Sequence, residues 1–437
     1  MGSFSISENL IYQEFENESL MFKALKRYLD NGYKIKETIF LCPVITNGLE
    51  EIILSYLHID EVNEDIKKKL ERLNKPIKCM KPDYNDTILN IIGGIRNNYG
   101  YDCEFKDTHN VFDKQYKNCI VMLIDGMGVN VLSENLDEDT FLRKNVMFTE
   151  HAIYPSTTAA STTATISGLT PLESGWTGWS NYIKELDREI VLFNGKNYYT
   201  EEPTGRTGFE FLPYKPFFND MRVRGYVITP DFSKPQTDIN EVLNESLTKL
   251  NGEQNVVEYV YWPEPDAIMH EKGAYSEEAK ECLKDINDKL ERYVGALPLD
   301  TILIISADHG HIPVLPINIY DCELINQYLK TKPSNDARCI VFRVKDGMGD
   351  KFERMFNALF GAIYKLYPKM EAIKLGYFGN PNGHIHTRIE DFLGDYVAVA
   401  TNKYYFNFFG QKDFIFKSHH AGITRDEMEV PVIVIRK

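Results

Sequence analysis

Five short stretches set carboxylates, imidazoles and hydroxyls at spacings that could do chemistry. The richest in hydroxyls is YPSTTAASTTATISGLTPLESG, residues 154–175, which holds six Thr and four Ser and has no charge before Glu173. Pro155 can end a strand, Ser156 or Thr157 can cap, and the Ala-rich run beyond favours helix, which places Thr158 in a first helical turn. A hydroxyl there faces unpaired backbone N–H groups at the positive end of a helix dipole, a setting that favours an anion such as phosphate. The competing reading is a buried helix whose hydroxyls bond back to the preceding turn. A Thr hydroxyl is a poor nucleophile near neutral pH unless a base or a metal ion takes its proton.

The other four stretches supply such groups. Asp125 ends KNCIVMLIDGMG, Asp266 and His270 stand four apart in WPEPDAIMHEK, Asp308 and His309 end TILIISADHGH, and His419 and His420 precede Ala421-Gly422. Carboxylate with imidazole is a ligand set for a divalent ion of borderline softness. Blander roles are open to each: Asp125 could cap the next helix, and His270 could be incidental on a surface helix. His311 reads as outside the ligand shell. The H-x-H of His384 and His386 lacks a nearby strand end and reads as loop.

Chemistry of this kind needs the groups brought to one edge of a sheet. KNCIVMLI and TILIIS are continuous apolar runs of strand length, as expected of parallel strands buried on both faces. NVVEYVYW, NVMFTEHAIY and RGYVITP read as further strands, and SEEAKECLKDINDKLERYVGAL reads as a helix covering the sheet. In an open α/β sheet, functional groups collect beyond the carboxyl ends of the strands, where Asp125 and Asp308 fall. Trp176, Trp179 and Tyr182 read as core or as pocket lining. Residues 1–81 read as an accessory region, helical and polar, with one apolar strand, ETIFLCPVI. Residues 82–437 read as the catalytic domain. Within it 316–417 breaks the alternation with a second α+β pattern, CIVFRV, GDKFERMFNALFGAIYKL and DYVAVAT, an expected inserted cap.

With 437 residues and 43% hydrophobic content the chain can bury a large core. A formal charge of -15 with no basic cluster argues against a nucleic-acid scaffold or an anionic-membrane surface. No stretch reaches the roughly 20 apolar residues of a membrane span. The seven cysteines form no C-x-x-C pair and read as reduced thiols, so a cytoplasmic location is expected.

Taken in order, these stretches resemble the alkaline phosphatase superfamily, and within it the type I phosphodiesterase and nucleotide pyrophosphatase group. The resemblance rests on the strand-end Asp125, the YPSTTAASTTATISGLTP segment, Asp266-x-x-x-His270, SADHG and the late His420-Ala421-Gly422, and it covers Pro82 to Lys437. It implies a three-layer α/β/α fold with a mostly parallel central sheet. It also implies two divalent ions, Zn²⁺ with Mn²⁺ as the alternative, one held by Asp125, Thr158, Asp308 and His309 and the other by Asp266, His270 and His420. Thr158 would be the nucleophile, forming a threonyl-phosphate intermediate, and Asn181 would hold a phosphoryl oxygen. The function implied is hydrolysis of phosphodiester or pyrophosphate bonds in a small, nucleotide-like substrate. A phosphomonoesterase or phosphomutase on the same fold, or a degenerate metal-binding scaffold, are the alternatives. Eukaryotic members carry an aromatic residue after the nucleophile, where this chain has Ala159. HAGITRDEMEVPVIV is similar to the end of cofactor-independent phosphoglycerate mutases, whose nucleophile is Ser. Sulfatases are excluded, since neither C-x-P-x-R nor S-x-P-x-R occurs.

Overall fold

The apolar runs form the middle of a six-stranded sheet in the computed structural model, which describes residues 2–234, 237–252, 254–409 and 415–437. Its strands are β1 (Asn118–Ile124), β2 (Val146–His151), β3 (Arg224–Ile228), β4 (Val256–Trp262), β5 (Thr301–Ser306) and β6 (Glu429–Arg436), in the order β3-β4-β1-β5-β6-β2. The pairs β3/β4, β4/β1 and β1/β5 are parallel, whereas β6 is antiparallel to both β5 and β2. One strand of six is therefore reversed. Trp262 lies opposite Ile124 and Ser306 opposite Leu123, so β4, β1 and β5 finish level. That register brings the segments after three strands to one edge of the sheet.

Period-2 alternation on a strand buried on both sides feeds two cores. Ile120, Met122 and Ile124 face a cluster containing Ile239, Val242 and Leu243 of α3 (Ile239–Lys249) and Leu283, Ile286 and Leu290 of α5 (Glu277–Ala296). Cys119, Val121 and Leu123 face the opposite cluster, with Ile88 to Ile95 of α1 (Ile88–Asn98) and Ala160 and Ala164 of α2 (Thr158–Ser167). Helices on both faces make the three layers. Each large aliphatic side chain so buried contributes about 1.5–3 kcal/mol. Local signals fix the helix starts: Thr87 and Asn90 form a capping box on α1, and the Ser276 side chain accepts from Ala279 N on α5.

The sheet and its helices belong to a unit made of Cys79–Val314, Met370–Phe392 and Phe414–Lys437. A second unit comprises Met1–Lys78, Leu315–Lys369 and Leu393–Asp413. Its N-terminal part is richer in strands than its sequence suggests. Five strands, Gly2–Ser7, Leu10–Glu14, Glu51–Ser55, Cys42–Thr46 and Lys34–Ile39, lie side by side in that order, with helices at Glu18–Asp30 and Ile66–Leu73. Two causes explain the difference. ETIFLCPVI contains a turn at Phe40, whose φ is 56°, and so contributes to two strands. Leu10–Glu14 is extended through parallel pairing with Glu51–Ser55, a partner 41 positions away, as at Leu10 and Glu51, which local pattern does not reveal. The same unit holds the elements expected of the cap: strands Cys339–Phe342, Tyr364–Pro368 and Tyr396–Ala400 and helix Gly349–Phe360, with Phe342, Phe352, Phe356, Phe360 and Phe406 in a contiguous aromatic core. No helix among the described residues is long and apolar enough to cross a membrane.

Candidate metal centre

The ends of β1 and β5 and the start of α2 bring four side chains together. Asp125 follows β1 directly, and its backbone N–H extends the sheet pairing by donating to Trp262 O at 2.9 Å. Gly126 then turns the chain at φ +73°, a left-handed conformation that glycine adopts without strain. From that turn Gly126 N donates to Asp308 Oδ1 (3.0 Å), which also accepts His309 N (3.0 Å). Asp308 Oδ2 is buried without a hydrogen-bond partner. The Thr158 hydroxyl, in the first turn of α2, lies 3.3 Å from Asp125 Oδ2 and 3.3 Å from His309 Nε2, and the same Nε2 is 3.3 Å from Asp125 Oδ1. His309 Nδ1 donates to Gly310 O (3.1 Å), which leaves the Nε2 lone pair facing the carboxylates.

A second group assembles beside it. In the short helix α4 (Asp266–Lys272), Asp266 and His270 share one side, with Oδ1 and Nε2 3.5 Å apart. His420 Nε2 is 3.7 Å and His311 Nε2 2.6 Å from the same Oδ1. Ring orientation is again set from behind: His270 Nδ1 donates to Ser418 O (3.0 Å) and His420 Nδ1 to Ser156 O (3.0 Å). Both groups have ligand atoms close enough for one ion each: Asp125, Asp308 and His309 in one, and Asp266, His270, His311 and His420 in the other, the atoms of each lying within 4.8 Å of one another.

Electrostatics suit cations. Burial, then the charges of Asp308 and Asp266, push the Asp125 carboxyl well above its usual range. Burial likewise lowers His270, His311 (to about 4) and His420, so these rings are neutral near pH 7, as ligands must be. Burial acts upward on Asp266, but His270 and His311 in their protonated forms outweigh it and hold its carboxyl below the usual carboxylate range. Three carboxylates, two of them buried and that of Asp266 partly so, bare imidazole nitrogens and the orphaned Asp308 Oδ2 form a donor set that fits divalent metal. Asp125, Thr158, Asp308 and His309 would hold one ion and Asp266, His270 and His420 the other.

Other expected residues fall as follows. His420 rather than His419 is in the ligand group: His419 Nδ1 accepts His420 N–H (2.8 Å), and its ring lies tilted against Phe416. The Asn181 amide is buried and engaged by Thr177 Oγ1 (3.1 Å) and Gly175 O (3.3 Å). No hydrogen bond among the described residues ties it to either ligand group. Trp176 is core: it is fully buried and donates to Leu212 O (2.9 Å), with Ala159 and Trp179 packed in the same cluster. His384 and His386 stand in neither ligand group. The back-bonding reading of α2 also holds in part, since Thr162, Thr165 and Ser167 bond to the carbonyls of Thr158, Ser161 and Thr163, whereas the Thr158 hydroxyl faces Asp125 and His309. One residue escaped the sequence reading and another was assigned away from the site. The Tyr261 hydroxyl donates to Asp125 Oδ2, a contact between neighbouring strands with no local signature. His311, read from the sequence as outside the ligand shell, stands instead in the second ligand group; it lies two residues beyond His309 and directly before the short strand Ile312–Pro313, which pairs with Ser418–His419.

Residues 119–413, more than half of the chain, match the family model for type I phosphodiesterase / nucleotide pyrophosphatase. The solved structures agree on the fold. Murine ectonucleotide pyrophosphatase/phosphodiesterase 5, an inactive variant in complex with AMP, is 16% identical, with 72% of this chain and 87% of that one covered and a TM-score of 0.54. Phosphonoacetate hydrolase from Sinorhizobium meliloti, in complex with phosphonoformate, is 16% identical, with 72% and 89% covered and a TM-score of 0.54. This is an alkaline-phosphatase-type α/β fold, and the protein is a metal-dependent phosphoester hydrolase. The chain belongs to the type I phosphodiesterase/nucleotide pyrophosphatase family. No curated protein matches it in sequence.

Proposed function

We propose that the protein hydrolyses phosphodiester or pyrophosphate bonds of a small molecule, with Thr158 as nucleophile, through a threonyl-phosphate intermediate. The observation that carries this is the Thr158 hydroxyl, set in the first turn of α2 between Asp125 Oδ2 and His309 Nε2 at 3.3 Å each. Two divalent ions, Zn²⁺ with Mn²⁺ as the alternative, would supply Lewis acidity and depress the pKa of that hydroxyl. The chain does the rest. Asp125 receives the hydroxyl hydrogen bond, Tyr261 fixes the carboxylate by donating to it, and the backbone N–H groups of the helix start favour the incoming phosphoryl oxygens. Attack by Thr158 Oγ1 on phosphorus forms the phosphothreonine and releases the leaving group. Water then hydrolyses the ester and returns the hydroxyl. The murine relative, inactive with one threonine changed to alanine, supports a threonine in this role.

The charge of the site supports diesters over monoesters. Three carboxylates and two dications sum to about +1, and ionising Thr158 brings the site near zero, which suits a singly charged diester. No Lys or Arg occurs from Asn145 to Ile183 to favour a dianion. The AMP bound by the murine relative supports nucleotide-like substrates, but stacking on the residue after the nucleophile is closed here because Ala159 is fully buried against Trp176. A cytoplasmic location is part of the proposal, supported by seven free thiols, of which burial pushes Cys42, Cys119 and Cys322 to about 12. The test is kcat/KM for a nitrophenyl diester against the matching monoester on metal-loaded protein. A monoester preference of tenfold or more, about 1.4 kcal/mol, would favour a phosphomonoesterase instead.

A further inference from the structure

Asp266 Oδ1 is ringed by three imidazole nitrogens: Nε2 of His311 at 2.6 Å, of His270 at 3.5 Å and of His420 at 3.7 Å. The protons around His311 can be assigned from its neighbours. Ser418 has one hydroxyl hydrogen, and it is donated to Met269 O at 2.6 Å. Toward His311 Nδ1, 3.0 Å away, the same oxygen can therefore only accept, so Nδ1 carries a hydrogen. In neutral His311 that leaves Nε2 as a lone pair aimed at a carboxylate oxygen. Two acceptors 2.6 Å apart repel unless a cation lies against both. A second ring proton would relieve the repulsion only by making a buried imidazolium, with the rings of His270 and His420 at centroid distances of 4.8 and 5.2 Å and a divalent ion beside it.

The fold also makes room for this ring. A Cβ on Gly126 would lie 3.1 Å from His311 Cδ2 and 3.3 Å from its Nε2, and Asn130 Nδ2 donates to His311 O at 2.7 Å, fixing its backbone. Gly310, between the two histidines, passes so close to Asp426 O that a Cβ there would sit 2.1 Å from it. The spacing that turns His309 toward Asp125 and His311 toward Asp266 thus depends on that glycine.

The geometry points to His311 as a fourth protein ligand of the ion held by Asp266, His270 and His420. This rests on the two-ion reading of the site and deepens it by making the two positions unlike. One has three imidazoles and one carboxylate, a set that selects zinc or cobalt over magnesium, calcium or manganese. The other has two carboxylates, one imidazole and a hydroxyl, a harder set more open to manganese or magnesium. The nitrogen-rich position retains its ion through dialysis while the other exchanges.

Proton–cadmium correlation spectra of the full chain loaded with cadmium-113 test this without any substitution. Three imidazole rings should correlate with one cadmium and a single ring with the other. In parallel, zinc affinity of the tighter position is measured by competition with a chromophoric chelator in wild type and in His311→Gln, with circular dichroism of both chelated proteins as the folding control. Loss of an outer hydrogen-bond partner weakens metal binding by about 10–100-fold, so loss of a ligand should exceed ~100-fold. Two cadmium signals with only two rings on the Asp266 ion, or a His311→Gln loss of 100-fold or less, would overturn the assignment and leave the two-ion reading standing. Failure of the wild-type protein to bind any cadmium or zinc would overturn both.

Discussion

Glu258 lies mid-strand on β4, the strand that carries Tyr261 to Asp125, and its solvent exposure is 0%. One carboxylate oxygen accepts from Ser246 Oγ, which sits 2.6 Å from Tyr293 OH, and the other has no hydrogen-bond partner. Burial raises this carboxyl from 4.5 to about 8; Ser246 lowers it, Glu245 raises it and Lys249 lowers it, all by less. A carboxyl that holds its proton more tightly when folded contributes its full stability below about 4.5 and loses it as the pH rises toward 8. Between pH 5 and pH 8 that loss amounts to about 3–4 kcal/mol, at 1.36 kcal/mol per pKa unit. Glu258→Gln does not titrate. Its amide meets the same unpaired position and costs about 1–3 kcal/mol at both pH values, so that penalty cancels in the comparison. Urea unfolding of both proteins at pH 5 and pH 8, with a chelator present to remove metal linkage, should show the variant losing about 3–4 kcal/mol less than wild type over that interval. Other titrating groups are common to both chains and cancel as well. Parallel pH profiles, within ~1 kcal/mol, would mean that Glu258 is ionised or hydrated in the folded state and would refute the argument.

Thr158→Ala should lower kcat by ~10³-fold or more while divalent metal content is retained; wild-type rates would remove Thr158 from the mechanism. Asp266→Ala and Asp308→Ala should each lose about one equivalent of bound metal by elemental analysis, and full content in both would undo the division into two ligand groups. His420→Ala should lose more metal and more activity than His419→Ala, because His419 Nδ1 is already occupied by His420 N–H; the reverse order would exchange their roles.

Much of the centre was legible because its residues end strands. An apolar run that stops at an acid, as at Ile124–Asp125 and Ser306-Ala307-Asp308, reports both a buried parallel strand and the edge where it finishes. Thr158 was legible from helix-start chemistry. Tyr261 was not, because its partner is set by lateral register between β4 and β1, and an alternating strand shows the face but not the neighbour. His311 was within sight, yet the strand that follows it, Ile312–Pro313, forms only through pairing with Ser418–His419, more than a hundred residues later. Nonlocal pairing also explains the N-terminal segment, where short polar strands such as Gly2–Ser7 lack the apolar density of β1.

Strand β6 lies between β5 and β2, and β2 has no other partner in its sheet. This has a consequence for synthesis on the ribosome. Until residues 429–436 have been made, β5 presents an unpaired apolar edge and β2, just ahead of the Thr158 segment, lacks the strand that joins it to the sheet. The nascent chain therefore holds an open sheet edge, the template on which chains aggregate, through the translation of all residues between Ser306 and Glu429. His420, which must join ligands made up to 154 residues earlier at Asp266, arrives in the same late segment. The metal centre and the sheet are thus closed by one stretch of polypeptide, and a nascent chain can acquire neither long before the other.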